Sequence, residues 1–131
     1  MAELPHERVR VRLAPSQIAG IGVFAIEPIA RGTNLFANDR LAIRWIDEEE
    51  VASLEAPKRA LYDDFAIRQD GKLGCPENFN LLTVGWYLNE PADGAQPNAG
   101  MTRDYEIIAA RDIEEGEELT INYSTFSDAE D

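Results

Sequence analysis

Hydrophobic and polar residues alternate with a period of two along much of this chain, which is the pattern of short, half-buried β-strands. The first alternating stretch is Val9–Leu13, where apolar side chains are interleaved with arginines. A second strand is predicted over Ile21–Ile26, and a third extended region over Leu35–Trp45 with Asn38-Asp39 as a bend. The N-terminal part of the chain is therefore predicted to be β-structure.

A helical region is predicted between Asp47 and Phe65. Glu50 follows Asp47 at the spacing of a capping box, so a helix is expected to begin at Asp47. Pro57 is expected to interrupt or restart this helix, because proline lacks the N–H that continues one. That leaves Lys58–Phe65 as a second helical piece.

The second half of the chain carries further short elements. Asp70-Gly71 marks a turn, and Asn80–Leu88 fits a short helix and a strand equally well. Tyr105–Ala110 and Leu119–Tyr123 have strand patterns. Together the patterns predict one mainly β domain without a linker.

The chain also contains an internal repeat. Ala25–Leu35 matches Ala109–Leu119 in the pattern A-x-x-[P/D]-I-x-x-G-x-x-L. Each copy predicts a strand, a turn whose glycine can take a positive φ, and a second strand that opens with leucine. Duplication and the independent use of one common turn type explain the match equally well.

Composition limits the class of protein. A chain of 131 residues, 44% of them hydrophobic, is expected to form one domain with a single core and a flexible acidic end, Ser127–Asp131. No apolar run reaches the length of a membrane span, and Met1–Arg12 is too charged for a secretory signal. One cysteine, Cys75, and one histidine, His6, exclude an intrachain disulfide and an ordinary Cys/His zinc site. We expect an intracellular, metal-free protein of the cytoplasm, or of the nucleus in a eukaryote.

The net charge of −13 bears on possible partners. Acidic residues cluster at residues 47–50, at residues 112–118 and at the C-terminus. Such runs usually form solvated faces, but an acidic surface also attracts basic proteins and repels nucleic acid. Direct binding of nucleic acid is therefore disfavoured, whereas a basic protein substrate is compatible with the charge.

Four motif blocks stand out along the chain. They are Gly20-Ile21-Gly22-Val23-Phe24-Ala25, Asn89-Glu90-Pro91, Pro97-Asn98-Ala99, and Arg111-Asp112-Ile113 continuing through Gly116-Glu117-Glu118-Leu119-Thr120 to Tyr123. With these blocks in this order, the chain resembles the SET domain of protein-lysine methyltransferases from about Arg8 to Tyr123. The resemblance implies a β-clip fold of several small curled sheets, with one short helical region and a threaded C-terminal segment.

The activity that the resemblance implies is transfer of a methyl group from S-adenosylmethionine to a lysine side chain of a basic protein. Two alternatives stay open beside it. One is a degenerate SET domain that binds the cofactor or a peptide without turnover. The other is a small acidic β-domain for protein interaction.

The resemblance assigns Tyr123 as the catalytic residue, whose hydroxyl faces the methyl group in transit; the alternative is an ordinary strand tyrosine. It places the methionine part of the cofactor against Gly20, Ile21 and Gly22, where missing side chains let the backbone approach closely. A β-bulge or tight strand entry would also explain these glycines.

Asn89 is expected to hydrogen-bond the cofactor amino group, and the main chain of Glu90 to meet the adenine. A turn asparagine ahead of Pro91 is the alternative. Tyr62 is a candidate for the wall of the lysine channel, although a core aromatic on a helix face also fits. Phe126, or a second subunit in a homodimer, is expected to cover that channel.

The chain departs from the family pattern in three places. Glu90 and Pro91 stand where N-H-S has histidine and serine. The spacing from Asn89 to Asn98 is nine (98 − 89) where the family has six, so residues 93–95 resemble an insertion. The cysteine-rich tail of many relatives has no counterpart in this sequence.

Overall fold

The computed structural model describes residues 4–36, 43–125 and 127. In chain order, the strands are β1 (Val11–Pro15), β2 (Ile21–Ala25), β3 (Arg44–Asp47), β4 (Ile67–Gln69), β5 (Lys72–Cys75), β6 (Ala99–Met101), β7 (Ile107–Ala109) and β8 (Glu118–Leu119). The α-helix of this part of the chain is α1 (Ala56–Phe65), and 3₁₀ turns occupy Glu48–Glu50, Phe79–Leu81, Val84–Tyr87 and Tyr123–Thr125. The predicted mainly β fold is confirmed.

The described residues fall into two compact units. The first unit comprises residues 4–36 and 87–122, and the second comprises residues 43–86, 123–125 and 127. Each unit contains its own antiparallel sheet.

The first unit contains the sheet β1-β2-β8 and the ribbon β6-β7, all paired antiparallel. Val11 is opposite Ala25, and Val23 is opposite Leu119. These four side chains are buried, as period-two alternation predicts for the inward face of a strand. The core of this unit is completed by Ile29, Leu35, Leu88, Ala99, Ile107, Ala109, Ile113 and Ile121.

The two copies of the internal repeat hydrogen-bond to each other. Ile29 and Ile113 hold the same place in the two copies, and each donates its backbone N–H to the other's carbonyl at 2.8 Å. Both side chains are 2% exposed. Equivalent residues thus exchange equivalent bonds, which relates the copies by a local two-fold axis between these isoleucines.

The glycines of the repeat follow the same symmetry. Gly32 donates its N–H to the carbonyl of Ala109, and Gly116 donates to that of Ala25, both at 2.8 Å. The φ angles are 88° at Gly32 and 85° at Gly116, a turn conformation that glycine adopts without strain. The repeat therefore has a structural role, since the turn of each copy closes on the strand of the other.

The C-terminal segment of the first unit bonds to two separate stretches of chain. Its strand β8 pairs with β2. The carbonyl of Thr120 accepts from Ala99 N–H at 3.0 Å, and Ile121 N–H donates to the carbonyl of Asn89 at 3.0 Å. Residues 118–121 are consequently held by both β2 and residues 89–99.

The second unit contains the sheet β3-β5-β4. The turn predicted at Asp70-Gly71 joins β4 to β5, with φ angles of 51° and 76°. Two consecutive positive φ angles are those of a type I′ hairpin turn, for which Asp-Gly is a favoured sequence. The structure thus confirms the turn that the local sequence predicted.

The core of the second unit packs around Val51, Leu73 and Cys75, with Tyr62 of α1 against them. Burial raises the pKa of the Cys75 thiol to about 11, against a smaller opposing effect of Arg44. Cys75 is accordingly a core side chain in its thiol form.

The helix predicted to begin at Asp47 is a single 3₁₀ turn, Glu48–Glu50. The Glu50 carboxylate does accept from the Asp47 N–H at 3.1 Å, as a capping box requires. However, the Glu48 N–H donates to the carbonyl of Gly71 at 3.0 Å. The Val51 N–H donates to the carbonyl of Glu48 at 3.2 Å, an i to i+3 bond, so this segment has 3₁₀ and not α geometry. Among the described residues, a longer helix forms at α1, whose first turn contains Pro57.

Other boundaries differ from the sequence pattern in smaller ways. Residues 80–88, which fitted both helix and strand, lie mostly in two 3₁₀ turns. The strand predicted over Leu119–Tyr123 ends at Leu119, and Tyr123 opens a 3₁₀ turn. β1 begins at Val11 instead of Val9, which is 45% exposed. Of the extended region predicted over residues 35–45, residues 37–42 lie outside the described part.

Candidate cofactor-binding site

The connection between β1 and β2 is a tight loop organised by Ser16. Its Oγ accepts from the N–H groups of Ile18 at 2.9 Å and Ala19 at 3.3 Å, and its own N–H donates to the carbonyl of Gly20 at 2.8 Å. Gly20 has a φ of 45°, and no described atom lies within 4 Å of the place a Cβ would take. The loop therefore presents backbone at its surface, which suits close approach of a ligand.

The Asn89 side chain meets this loop. Its Nδ2 lies 3.0 Å from the carbonyl oxygen of Ala19, 3.4 Å from that of Ile21 and 3.3 Å from Ser16 Oγ. It is also 3.0 Å from Glu118 Oε2. The amide nitrogen has two hydrogens and can donate to two acceptors at once. Four oxygens therefore lie within hydrogen-bond distance of a group that has only two hydrogens.

Glu118 is the residue at this site that sequence reasoning did not single out. Both carboxylate oxygens accept from the Ser16 hydroxyl, at 2.8 and 2.9 Å, and one also accepts from Asn89. The signal was present, because Glu118 sits in the last motif block beside buried Leu119. Only the pairing of β8 with β2 shows that the Glu118 side chain reaches the β1–β2 loop, here called the glycine loop (residues 16–20).

The position of the Glu118 side chain also explains why residue 22 is a glycine. A Cβ added to Gly22 would lie 2.2 Å from Glu118 Oε2 and 3.1 Å from the Cβ of Ser16. Such a contact is far inside van der Waals distance, so the carboxylate would have to move. Gly22 therefore lacks a side chain where the Glu118 carboxylate needs the space.

The chemistry of the site is that of a cation acceptor. The carboxylate of Glu118 and the carbonyls of Ala19 and Ile21 converge on one amide. An ammonium group, which carries three donors and a positive charge, can donate to an amide oxygen and is favoured by a nearby carboxylate. The amide of Asn89 keeps its nitrogen toward these oxygens, so its Oδ1 is the end turned away from them.

Glu90 and the extra residues lie beside this site in sequence. Glu90 is exposed, and Asn89 itself is half-buried. The Ala95 N–H donates to the carbonyl of Ala92 at 2.9 Å, and Gly94 takes a φ of 82°. Residues 93–95 thus lie in an exposed turn ahead of Asn98.

Asn98 has a structural place in the first unit. It is 2% exposed, its Nδ2 donates to the carbonyl of Glu118 at 2.8 Å, and its Oδ1 accepts from the Thr120 N–H at 2.8 Å. Nδ2 also donates to Glu117 Oε2 at 3.0 Å. Asn98 therefore fixes the backbone on which Glu118 is carried.

Glu117 is part of the same support. The hydrogen bond from Arg111 lowers the pKa of the Glu117 carboxyl, with a smaller opposing effect of burial. Its Oε1 also accepts from the Glu114 N–H at 3.0 Å, which favours the ionised form. The ionised carboxylate is then the partner that Asn98 meets.

The remaining predicted site residues belong to the second unit. Tyr123 is 40% exposed, and its carbonyl accepts from the Ser127 N–H at 2.8 Å. The hydroxyl of Ser127 in turn accepts from the N–H of Arg68 in β4 at 2.9 Å. The turn that carries Tyr123 is therefore tied to a strand of its own unit.

Tyr62 packs against the core of the second unit, and its ring meets that of Phe79 edge to face at a centroid distance of 4.9 Å. This is the packing expected of a core aromatic on a helix face. Phe126 lies outside the described residues. The roles assigned to Tyr62, Phe126 and Tyr123 stay predictions.

The model of the SET domain family matches residues 20–124, a range that includes Gly20, Gly22, Asn89, Glu118 and Tyr123. This chain belongs to the SET-domain family. SET domains form a family of methyltransferases, and that membership confirms the resemblance carried by the motif blocks.

A solved structure shows that the SET domain here also has a known fold. The crystal structure of a proposed histone methyltransferase from Plasmodium falciparum superposes with a TM-score of 0.54 at 20% identity, over 88% of this chain and 93% of that one. At this identity the likeness concerns the fold alone. Among curated proteins, no significant match to this SET domain is found.

In residues 4–36, 43–125 and 127, no helix is long and apolar enough to cross a membrane. Within the same part of the SET domain, no group of three His, Cys, Asp or Glu side chains is placed to hold a metal ion.

Proposed function

We propose that this SET domain is a protein-lysine N-methyltransferase that uses S-adenosylmethionine. The observation that carries the proposal is the orientation of the Asn89 amide, whose Nδ2 is bound by Ala19 and Glu118 so that its Oδ1 is left to accept, beside the open β1–β2 loop of a SET-family chain. S-adenosylmethionine has an α-ammonium group and supplies an electrophilic methyl group when bound. A cationic amino-acid end is the ligand chemistry that this amide oxygen favours, with the negative charge of Glu118 close to the same side chain.

The residues of the loop fit the cofactor in different ways. Asn89 would accept from the ammonium through Oδ1, since Nδ2 faces Ala19 and Glu118. Gly20 leaves open space on the loop surface, so it would allow close approach of the methionine part. Gly22 would contribute indirectly, because the space beside it holds the Glu118 carboxylate.

The acceptor lysine must lose a proton before it can attack a methyl group. Free lysine has a pKa of about 10.4, so deprotonation at pH 7 costs about 4–5 kcal/mol. A narrow apolar channel close to a sulfonium cation lowers that cost by desolvation and like-charge repulsion. Tyr123 would orient the amine and the transferring methyl through its hydroxyl, and the net charge of −13 favours a basic protein substrate.

A calorimetric titration with S-adenosylmethionine tests the cofactor half of this proposal. Binding should also raise the melting temperature, because a ligand of the folded state stabilises it by mass action. Asn89→Ala should weaken binding by about tenfold to a hundredfold, the cost of an unmet buried hydrogen bond. Asn78→Ala, an exposed asparagine of the second unit, is the matched control and should bind as the wild type does. Absence of binding by the wild type at millimolar cofactor would overturn the proposal.

A methyl-transfer assay on lysine-rich proteins tests the catalytic half. Tyr123→Phe keeps the ring and removes the hydroxyl, so turnover should fall by about tenfold to a thousandfold. Cofactor affinity should change far less, since the hydroxyl acts mainly in the transition state. Tyr105→Phe, in the β6–β7 hairpin, controls for the loss of a tyrosine hydroxyl elsewhere. Full activity in Tyr123→Phe would remove Tyr123 from the mechanism.

A degenerate SET domain that binds the cofactor without turnover is the second candidate. The observation that favours it is Glu90 in the place of the family histidine. It predicts cofactor binding in the titration and no transfer to any lysine-containing protein. Glu90→His should then strengthen binding, and weaker binding would assign Glu90 a role of its own.

A further inference from the structure

We infer that Glu118 is a positioning residue for the cofactor, which acts by setting the orientation of the Asn89 side-chain amide. The inference rests on the proposed function, because it concerns how the same site recognises an α-ammonium. Its basis is the hydrogen-bond chain from Ser16 through Glu118 to Asn89.

The donors and acceptors around Glu118 leave little freedom. Ser16 Oγ already accepts from two backbone N–H groups of its own loop, at 2.9 and 3.3 Å. Its single hydroxyl hydrogen is therefore available to the Glu118 carboxylate, 2.8 Å away. The carboxylate then has acceptor capacity for the Asn89 Nδ2. An ionised carboxylate accepts only, so it cannot bond to the amide oxygen.

This chemistry determines which end of the amide can face a ligand. If Asn89 turned its amide over, Oδ1 would meet Glu118 Oε2 and the carbonyl of Ala19, each now 3.0 Å from nitrogen. Three oxygens without a hydrogen between them repel one another. The observed orientation keeps Oδ1 available to accept from an ammonium, and the charge of Glu118 strengthens that preference.

Gly22 makes the arrangement possible. Its backbone passes so close to Glu118 that a Cβ would lie 2.2 Å from the carboxylate oxygen. A methyl group at this position would displace the carboxylate from Ser16 and Asn89. The second glycine of the motif is thus coupled to Glu118, although the two are far apart in sequence.

The test is a double-mutant cycle measured by calorimetry with S-adenosylmethionine. Glu118→Gln keeps the shape of the side chain but removes the charge and half of the acceptor capacity. We expect its affinity to fall by about tenfold, the loss of one charge-assisted hydrogen bond. Asn89→Ala with Glu118→Gln should bind no worse than Asn89→Ala alone, because Glu118 acts through Asn89. Glu115→Gln, which removes the charge of an exposed carboxylate in the same acidic stretch, is the matched control.

A second ligand separates positioning from a general structural effect. 5′-Deoxy-5′-methylthioadenosine lacks the amino-acid end, so Glu118→Gln should leave its affinity within about twofold of wild type. An equal loss for both ligands would overturn the inference, as would additive effects in the cycle or unchanged affinity in Glu118→Gln. Those results leave the proposed function standing. Failure of the wild type to bind either ligand would overturn both.

The contact between Gly22 and Glu118 can be tested without any ligand. Gly22→Ala should lower the melting temperature of the wild type. The fall should be smaller in a Glu118→Ala background, because the added methyl group then occupies the space that the Glu118 carboxylate has left. Equal costs in the two backgrounds would show that the carboxylate does not occupy the space beside Gly22. That outcome would overturn the inference by itself.

Discussion

Replacement of Asn98 by alanine should destabilise the first unit more than loss of an ordinary surface asparagine does. Asn98 is 2% exposed and makes two hydrogen bonds of 2.8 Å to the backbone of residues 118–120. The substitution leaves the N–H of Thr120, a residue only 7% exposed, and the carbonyl of Glu118 without these partners. Each unmet buried group costs about 1–3 kcal/mol, so we expect a loss of about 3 kcal/mol.

That loss is large beside the stability of a small protein, which is about 5–15 kcal/mol. The entropy of unfolding is about 2.1 cal/mol/K per residue, so each kcal/mol corresponds to roughly 3–4 °C in a chain of this size. Asn98→Ala should therefore lower the melting temperature by about 10 °C. Urea denaturation followed by circular dichroism measures the free energy of unfolding directly.

Asn78→Ala is the matched control, because Asn78 is exposed and its Oδ1 accepts from one backbone N–H, that of Asn80 at 2.8 Å. Asn78→Ala should lower the free energy of unfolding by only about 0.5–1 kcal/mol, as loss of a helix N-cap does. A cost for Asn98→Ala no greater than for Asn78→Ala would refute the reasoning.

Asn98→Asp separates the acceptor role of Asn98 from its donor role. Aspartate can still accept from Thr120 N–H, but it places a carboxylate against the carbonyl of Glu118 and the carboxylate of Glu117. Repulsion there should raise its pKa in the folded protein. If the pKa of this aspartate is higher in the folded than in the unfolded protein, its protonation at low pH relieves the repulsion. The difference in free energy of unfolding between Asn98→Asp and the wild type should therefore become smaller as the pH falls toward about 4. A pH-independent gap would contradict this account.

Three further predictions follow from the described contacts. The pKa of Glu117 is lowered mainly by its hydrogen bond from Arg111, so the ionised carboxylate stabilises the fold above the unfolded pKa of about 4.3 and this stabilisation is lost as the pH falls through the lowered folded pKa. Glu117→Gln should remove this part of the acid dependence of the free energy of unfolding, and an unchanged pH dependence would contradict the prediction. Gly32→Ala and Gly116→Ala should each cost about 1 kcal/mol and differ little, because both glycines have positive φ and open space for a methyl group; a large difference in melting temperature would argue against the local two-fold axis. Cys75, whose pKa is raised to about 11 by burial, should react with thiol reagents at pH 8 only as fast as the protein opens, and rapid labelling of the native state would refute its burial.

Local chemistry was sufficient for several elements of this protein. The Asp70-Gly71 turn, the strand over residues 21–25 and the restart of helix at Pro57 each depend on a few consecutive residues. Backbone preferences and period-two alternation act within such short stretches, so the amino-acid order alone determines them. The motif blocks likewise sufficed to assign the SET family, which the match over residues 20–124 confirms.

Two element boundaries were predicted wrongly. The capping box at Asp47 formed, yet the Val51 N–H bonds to the carbonyl of Glu48 in a 3₁₀ turn and the helix did not continue there. The strand predicted to reach Tyr123 stopped at Leu119. Residues 120 and 121 bond to Ala99 and Asn89, and a window of neighbouring residues contains no information on that pairing.

The tertiary structure alone decided how the candidate site is assembled. Ser16, Gly22, Asn89 and Glu118 come from three separate stretches of the sequence, and only the pairing of β2 with β8 brings Glu118 over Gly22. The same holds for the repeat, whose two copies were visible in the sequence while the bonds exchanged by Ile29 and Ile113 were not. The physical reason is that hydrogen bonds and van der Waals contacts act over a few ångströms in space, whatever the separation of their partners along the chain.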